Sequence, residues 1–218
     1  MENQLKILSS PKILSISDKE LLLRAYFLQN AKVQNYEKGY ISVPFVNQLV
    51  DPKQQANAAD LITHHILLNK IPVDKVVQIP YSGNSLAYSV AERLDCPLVL
   101  GRKGNKTPGA WKNQFVIKET TESFTTGQKS SFVFNELYQG DKVYLIDDVV
   151  ANGDTSSLII EEFQKRGIEV MGMSIYFAKL FQPGIERIYK ETSVNPFYAI
   201  GIEAITQDKI ILTPPHFS

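Results

Sequence analysis

The chain has a single cysteine, Cys96, in 218 residues. An internal disulfide is therefore excluded, and the composition fits a reducing compartment. In the run Leu94-Asp95-Cys96-Pro97-Leu98 a small buried hydrophobe is the simpler role for it than a reactive thiol. Histidine is almost as scarce, at three. His64 and His65 are neighbours in a helix-patterned run, where adjacent side chains point about 100° apart, and no third ligand stands at suitable spacing. An excess of either charge is also missing: 23 Lys and Arg balance 23 Asp and Glu. No overall field then attracts nucleic acid or an anionic membrane, so any polyanion site is local. There is no apolar run long enough to cross a bilayer, and Met1 to Ser10 is mixed rather than signal-like; a cytoplasmic protein is expected. No fixed-period repeat or low-complexity tract occurs. What remains is an ordinary globular composition, 44% hydrophobic and 21% charged, at a length that suits one domain with a substantial core.

The most informative stretch runs from Val143 to Ser157. Val143, Tyr144, Leu145 and Ile146 lead into adjacent carboxylates, Asp147 and Asp148. A short loop with Gly153 follows, and hydroxyl residues open a helix-patterned run from Leu158 to Arg166. This predicts a buried parallel strand, a tight turn and a helix. Ligands of such sheets sit beyond the carboxyl ends of the strands, where this loop would lie, and Asp148 is expected exposed in a cleft. Successive loop amides and the positive end of the helix dipole suit a phosphate. Paired carboxylates suit sugar hydroxyls and a hard cation such as Mg²⁺. Without a ligand, the same residues read as a plain strand–turn–helix junction with Asp154 or Thr155 as N-cap.

Elsewhere the chain alternates between strand and helix patterns. Ser17-Asp18-Lys19-Glu20 reads as a capping box that opens a helix carrying Leu21, Leu22, Leu23, Tyr26 and Phe27. Gly39 ends the polar stretch behind it, and Tyr40 to Val46 reads as extended. Asp51-Pro52 is a second start, with Asp at N-cap and Pro at N1. That helix runs to about Leu68 with Ala56, Ala59, Leu61, Ile62 and Ile66 facing inward. Lys75 to Pro80 predicts the first core strand. Tyr81-Ser82-Gly83-Asn84-Ser85 then reads either as a Gly turn with Asn84 as N-cap or as a second phosphate cradle of amides and hydroxyls. A helix from Leu86 to Leu94 follows, then a strand at Leu98 to Gly101. Gly104 to Lys112 is a loop, either a solvated connector or a lid, with Trp111 placed to anchor it or an interface. Phe115 to Phe124 and Phe132 to Phe134 predict an antiparallel hairpin. Glu169 to Phe177, Phe197 to Ile202 and Ile210 to Leu212 complete the strands. The fold class is α/β, an open and mainly parallel sheet flanked by helices on both faces.

The stretch at 143–157 resembles the phosphoribosyl-pyrophosphate (PRPP) motif of type I phosphoribosyltransferases. That motif is an apolar strand, two acidic residues, two apolar residues and Ala-Thr-Gly-Gly-Thr/Ser. Here the last five are Ala151-Asn152-Gly153-Asp154-Thr155, which match at the first, third and fifth positions. Ala-Asn-Gly is similar to the xanthine branch of the family. So are Phe181-Gln182-Pro183-Gly184 preceded by Lys179, and Asn47 four residues before Asp51-Pro52. The similarity extends, with gaps, from about Tyr40 to Ile205. It implies one domain over 1–218, with a core near 50–205, a hood near 1–47 and 179–218, and a homodimer.

The resemblance also implies roles. Asp147 and Asp148 would hold the ribose hydroxyls, directly or through Mg²⁺, and Ala151, Asn152, Gly153, Asp154 and Thr155 the 5′-phosphate. Ser82, Gly83, Asn84 and Ser85 would hold pyrophosphate. Adenine-type members carry an acidic residue and Arg-Gly at this point; here stand Pro80 and no arginine, while Ser82-Gly83 resembles the xanthine type. Lys103 would supply the missing cation. Tyr40, Asn47, Lys179 and Phe181 would receive the purine, with xanthine ahead of guanine and hypoxanthine because Lys179 only donates. Asp154, at a position usually held by glycine, is expected to cap its helix with the carboxylate turned from the phosphate. The implied partners are PRPP and a purine base, with neither nucleic acid nor membrane. The implied reaction displaces pyrophosphate from PRPP through an oxocarbenium-like state and needs no side-chain nucleophile. The alternative is a non-catalytic PRPP-sensing regulator of the purine-repressor type. Residues 1–39 hold six Lys and Arg against four Asp and Glu, a weak basis for DNA binding.

Overall fold

A computed structural model describes residues 14–80, 82–104, 112–118 and 131–217. Alternate residues of its apolar strands face opposite ways, and both sets are buried. Val76, Tyr144, Ile146 and Tyr176 join one hydrophobic cluster; Val77, Val143, Leu145, Met173 and Ile175 join the other. A parallel sheet covered on both faces requires this. A polar pair at its centre satisfies itself: Tyr144 Oη lies 2.7 Å from Ser174 Oγ, and burial pushes the Tyr144 phenol up, so the proton stays on.

In order, the elements are α1 (Ile16–Asn30), β1 (Lys32–Asn35), β2 (Tyr40–Ser42), α2 (Pro44–Asn47), α3 (Pro52–Leu68), β3 (Lys75–Gln78), α4 (Asn84–Leu94), β4 (Leu98–Leu100) and β5 (Arg102–Lys103). There follow β6 (Phe115–Lys118), β7 (Ser131–Phe134), β8 (Lys142–Val150), α5 (Asp154–Lys165), β9 (Glu169–Lys179), α6 (Gly184–Thr192), β10 (Phe197–Ile205) and β11 (Ile210–Leu212). The central sheet has the order β11-β10-β9-β8-β3-β4. All neighbours pair in parallel except β10 with β11. Both of those strands, inside the 179–218 stretch, therefore belong to the central sheet. Residues of α1, α3 and α4 cover one face, and residues of α5, α6, β6 and β7 cover the other.

The expected hairpin is present where it is described: β6 pairs antiparallel with β7, from Phe115↔Phe134 to Lys118↔Ser131, and β5 lines the other side of β7. Residues 105–111, with Trp111, and 119–130 lie outside the described residues. Asp51 caps α3 as expected, accepting from the Lys53 and Gln54 amides. The other inward positions of α3 are buried, but Ala56 is only half-buried. The extended segment ends at Ser42, because Pro44 opens the short α2 instead. Cys96 is half-buried and burial pushes its thiol up, which fits an inert packing role. His65 stacks on Phe197 at 4.1 Å, and His64 meets Phe217 edge-on at 5.1 Å.

The capping box of α1 lies one pattern earlier than Ser17–Glu20. Ser15 Oγ accepts from the Asp18 amide at 3.0 Å, and the Asp18 carboxylate accepts from the Ser15 amide at 3.3 Å. Ser-x-x-acid fits both registers, and tertiary packing decides between them. Glu20, Leu23 and Phe27 share the buried face while Leu21 and Leu22 remain exposed. Glu20 accepts the His216 and Phe217 amides at 2.6 and 2.8 Å. Its carboxylate thus ties the C-terminal strap to α1. Replacing Glu20 with alanine is expected to cost about 2–3 kcal/mol, as for a lost charge-assisted pair in a buried setting, read by urea denaturation.

Candidate active site

β8 carries its apolar run to Val150, and Asp147 and Asp148 fall near its carboxyl end. The two aspartates are only 8% and 7% exposed, so they are walled in rather than open in a cleft. Gly83 forms part of that wall: a Cβ there would lie 3.3 Å from the Asp147 Cα and the Asp148 amide nitrogen. Asn47, on α2, forms another part, with Nδ2 donating to Asp148 Oδ2 at 2.8 Å. Asp148 Oδ1 accepts the Val149 amide, and Asp147 Oδ1 accepts the Asp148 amide, both at 2.9 Å. Burial, reinforced by the Asp148 charge, pushes the Asp147 carboxyl well above the usual carboxylate range. Two close, desolvated carboxylates call for positive charge beside them. Oxygen donors of this kind fit Mg²⁺, which is held through one or two carboxylates and completed by waters and phosphate oxygens. Among the described residues no group of three or more His, Cys, Asp or Glu forms a metal cage of its own.

Beyond β8 the chain turns through Ala151, Asn152 and Gly153 into α5. Gly153 takes φ +80° at the N-cap position, in the left-handed region that favours glycine. A side chain there would also strike α6, with the Gly184 carbonyl oxygen 2.7 Å from where its Cβ would be. Gly184 answers from the other side: its amide donates to the Ala151 carbonyl at 2.9 Å. A Cβ on Gly184 would overlap Ala151 O and sit 2.6 Å from Val150 Cγ1. The glycine of Phe181-Gln182-Pro183-Gly184 therefore holds the loop, a role that becomes visible only in three dimensions.

Asp154 does not cap α5. Because Gly153 occupies the cap with left-handed geometry, Asp154 is the first helical residue, and no side chain caps the helix. Its carboxylate pairs instead with Arg187 Nη1 of α6. Any part it plays toward a phosphate is thus through its amide. α4 repeats the arrangement, with Gly83 at the cap and no side-chain bond, so Asn84 is the first helical residue and not the N-cap. By contrast, α1 and α3 are capped by Ser15 and Asp51. The first-turn amides of α4 and α5 are the donors an anion would use. Ser82 and Ser85 are half-buried and Asn84 is exposed at the same turn. Lys103 is exposed on β5, at the edge of the small sheet rather than in either loop.

On the other flank, β9 runs beside β8 to Ala178, which pairs with Val150, so Lys179 stands level with the loop. Lys179 Nζ donates to the Gly39 carbonyl at 2.9 Å, and burial holds its ammonium below the usual lysine range. Gly39, at φ +71°, turns between β1 and β2; a Cβ on it would lie 2.9 Å from Phe181 Cε2. Tyr40 and Phe181 keep exposed rings, at 48% and 37%. The structure therefore gathers Gly39, Lys179 and Phe181, and seats Asn47 against Asp148. Gly184 stands out in the sequence only within the Phe181-Gln182-Pro183-Gly184 resemblance, with no role attached, and Arg187 does not stand out at all. A glycine opening a helix-patterned run was a signal for the first; Arg187 offered none.

The family model for the phosphoribosyl transferase domain matches residues 46–194. A xanthine phosphoribosyltransferase of Clostridium acetobutylicum is 30% identical over 168 residues, covering 76% of this chain and 86% of that protein. One from Finegoldia magna is 28% identical over 170 residues, covering 77% and 86%. In fold, the chain resembles the adenine phosphoribosyltransferase of Leishmania tarentolae, with TM-score 0.69 at 17% identity over 89% of this chain and 92% of that one. It also resembles the Giardia lamblia enzyme solved with 9-deazaadenine, with TM-score 0.66 at 21% identity over 87% and 98%. The carboxylate pair, the glycine-capped loop and a match across two thirds of the sequence place this chain in the phosphoribosyltransferase domain family.

Proposed function

We propose that the protein transfers the ribose 5-phosphate of PRPP to a purine base with release of pyrophosphate, and that an oxopurine, xanthine first, is the base. The observation that carries this reading is the buried Asp147–Asp148 pair directly before a glycine-capped helix start without a side-chain cap. Loop amides at 151–155 suit the 5′-phosphate; the Gly83 turn, with Ser82, Asn84 and Ser85, suits pyrophosphate, and Lys103, on β5, is the cation assigned to that ligand. Asp147 and Asp148 would hold Mg²⁺, which supplies positive charge to the leaving pyrophosphate. As a purine nitrogen bonds to the anomeric carbon and the bond to pyrophosphate breaks, positive charge develops on the ribose. The aspartates present their negative charge to that ring and its hydroxyls, and the two loops fix both ends of PRPP so that the base meets the anomeric carbon in line.

The regulator alternative gains no support. The relatives named above are enzymes, and residues 16–42 form one helix and a hairpin, not the helix-turn-helix pair that reads DNA. Among the described residues no helix is long and apolar enough to cross a membrane. One domain over 1–218, a cytoplasmic location and a homodimer complete the proposal.

The choice of base rests on Lys179, on Asn47, which has donors and an acceptor, and on the exposed rings of Tyr40 and Phe181. The similarity to proteins named xanthine phosphoribosyltransferase supports it. A pocket built to donate to a carbonyl rejects the analogue lacking it, because its buried donor stays unpaired. Lys179→Ala should lower turnover on xanthine by roughly a hundredfold or more and change PRPP affinity much less. Steady-state kinetics alongside PRPP titration checks this. Equal turnover on xanthine in the variant would remove Lys179 from the pocket.

A further inference from the structure

Asp154 puts a negative charge at the first residue of the helix assigned to the 5′-phosphate. Left alone, it would repel a phosphate dianion and draw on the same amides. The structure gives it a partner. Arg187 Nη1 pairs with Asp154, while Arg187 Nε donates to Glu191 Oε1 at 2.9 Å, one turn further along α6. The anchorage of α6 to the loop is independent of that pair. Gly184 and Ile188, which flank Arg187 in sequence, bracket Gly153, with Ile188 Cγ1 3.1 Å from where a Gly153 Cβ would lie. The Gly184 amide bonds to Ala151. Arg187 is thus carried to the phosphate loop by a rigid contact on either side of it, and its guanidinium is divided between two carboxylates.

We propose that Arg187 is a positioning residue for PRPP binding: it neutralises Asp154 and draws that carboxylate toward α6, leaving the first-turn amides of α5 to the 5′-phosphate. This rests on the assignment of the loop to the 5′-phosphate. Asp154 and Arg187 are 52% and 41% exposed, so the pair contributes little to folding. Its consequence lies in the field felt by a doubly charged ligand a few ångströms away, which salt weakens. Removing Arg187 exposes the ligand to both Asp154 and Glu191; removing Asp154 as well takes away the nearer of the two.

The test is a double-mutant cycle on the full chain with Mg²⁺: wild type, R187Q, D154N and the R187Q/D154N pair. PRPP binding is followed by calorimetry and turnover by pyrophosphate release. R187Q is expected to weaken PRPP binding roughly tenfold, raising KM for PRPP with kcat little changed, and to lose less in high salt. D154N alone should bind PRPP more tightly than wild type, because the repelling charge is gone while Arg187 remains, and the double variant should return to within about threefold of wild type. R187K, which keeps the charge, should recover most of the affinity, and melting temperatures should stay within a few degrees throughout. Wild-type affinity in R187Q overturns the proposal, and so does a double variant as weak as R187Q, since Arg187 would then act on the ligand directly or only on packing. A wild type that binds no PRPP overturns the loop assignment itself, a result distinct from a wild type that binds while the cycle shows no coupling.

Discussion

Gly184→Ala is expected to reduce PRPP-dependent turnover by roughly a hundredfold or more while the central sheet stays folded. The new methyl group has no room. It would overlap the Ala151 carbonyl oxygen and press on Val150 Cγ1 at 2.6 Å. Neither neighbour is the free end of a flexible side chain, so the 151–153 loop or the start of α6 must move. The stability cost should be about 1–3 kcal/mol, as for overpacking, and a shift of about 1 Å in a binding loop is enough to cost two orders of magnitude in rate. Gly140→Ala is the matched control. Gly140 also has positive φ, at +85°, but nothing lies within 4 Å of its Cβ position. That variant should lose roughly 1 kcal/mol from backbone strain with unchanged kinetics. Pyrophosphate release and thermal melting of both variants decide the matter. Wild-type kinetics in Gly184→Ala would mean that the loop is not held as described.

Asp148→Asn should lower turnover by about two to three orders of magnitude, as for loss of a group that stabilises developing charge. Asp148 accepts from Asn47 Nδ2 and from the Val149 amide at once. An asparagine offers only one acceptor oxygen, so its amide group must face one of those donors. The change removes a charge from beside a developing cation and disturbs the α2 contact together. Stability should hold or rise, because Asp148 repels Asp147 across a desolvated site and is part of what pushes the Asp147 carboxyl up. Turnover, PRPP affinity measured by calorimetry with Mg²⁺, and urea denaturation separate these effects. Undiminished PRPP affinity and turnover would exclude Asp148 from the site.

Much of this architecture was legible because it is local. The apolar run before Asp147 and Asp148, the glycine after it and the helix period beyond it sit within one continuous segment, so β8, the turn and α5 follow from periodicity alone. Asp51-Pro52 was readable for the same reason. What escaped the sequence depends on contacts between distant segments. The Asn47–Asp148 bond spans 101 residues and the Asp154–Arg187 pair 33. Asp154 was expected at the N-cap because the residue type favours it; the left-handed Gly153 takes that position and opposite charge on α6 claims the carboxylate. Glu20 was assigned to a capping box by a pattern that fits equally well two residues earlier, and only the strap amides of His216 and Phe217 settle its place. Gly184 is similar: the sequence marks it only through the Phe181-Gln182-Pro183-Gly184 resemblance, while its value lies in what a methyl group would strike.

Pyrophosphate release from PRPP by the full chain, with Mg²⁺ and with xanthine, guanine, hypoxanthine or adenine offered one at a time, tests the proposed activity most directly. Release that depends on the base and is fastest with xanthine is the predicted result. Fastest release with adenine would contradict the assignment of the Lys179 pocket, and no release with any of the four would contradict phosphoribosyl transfer to a purine.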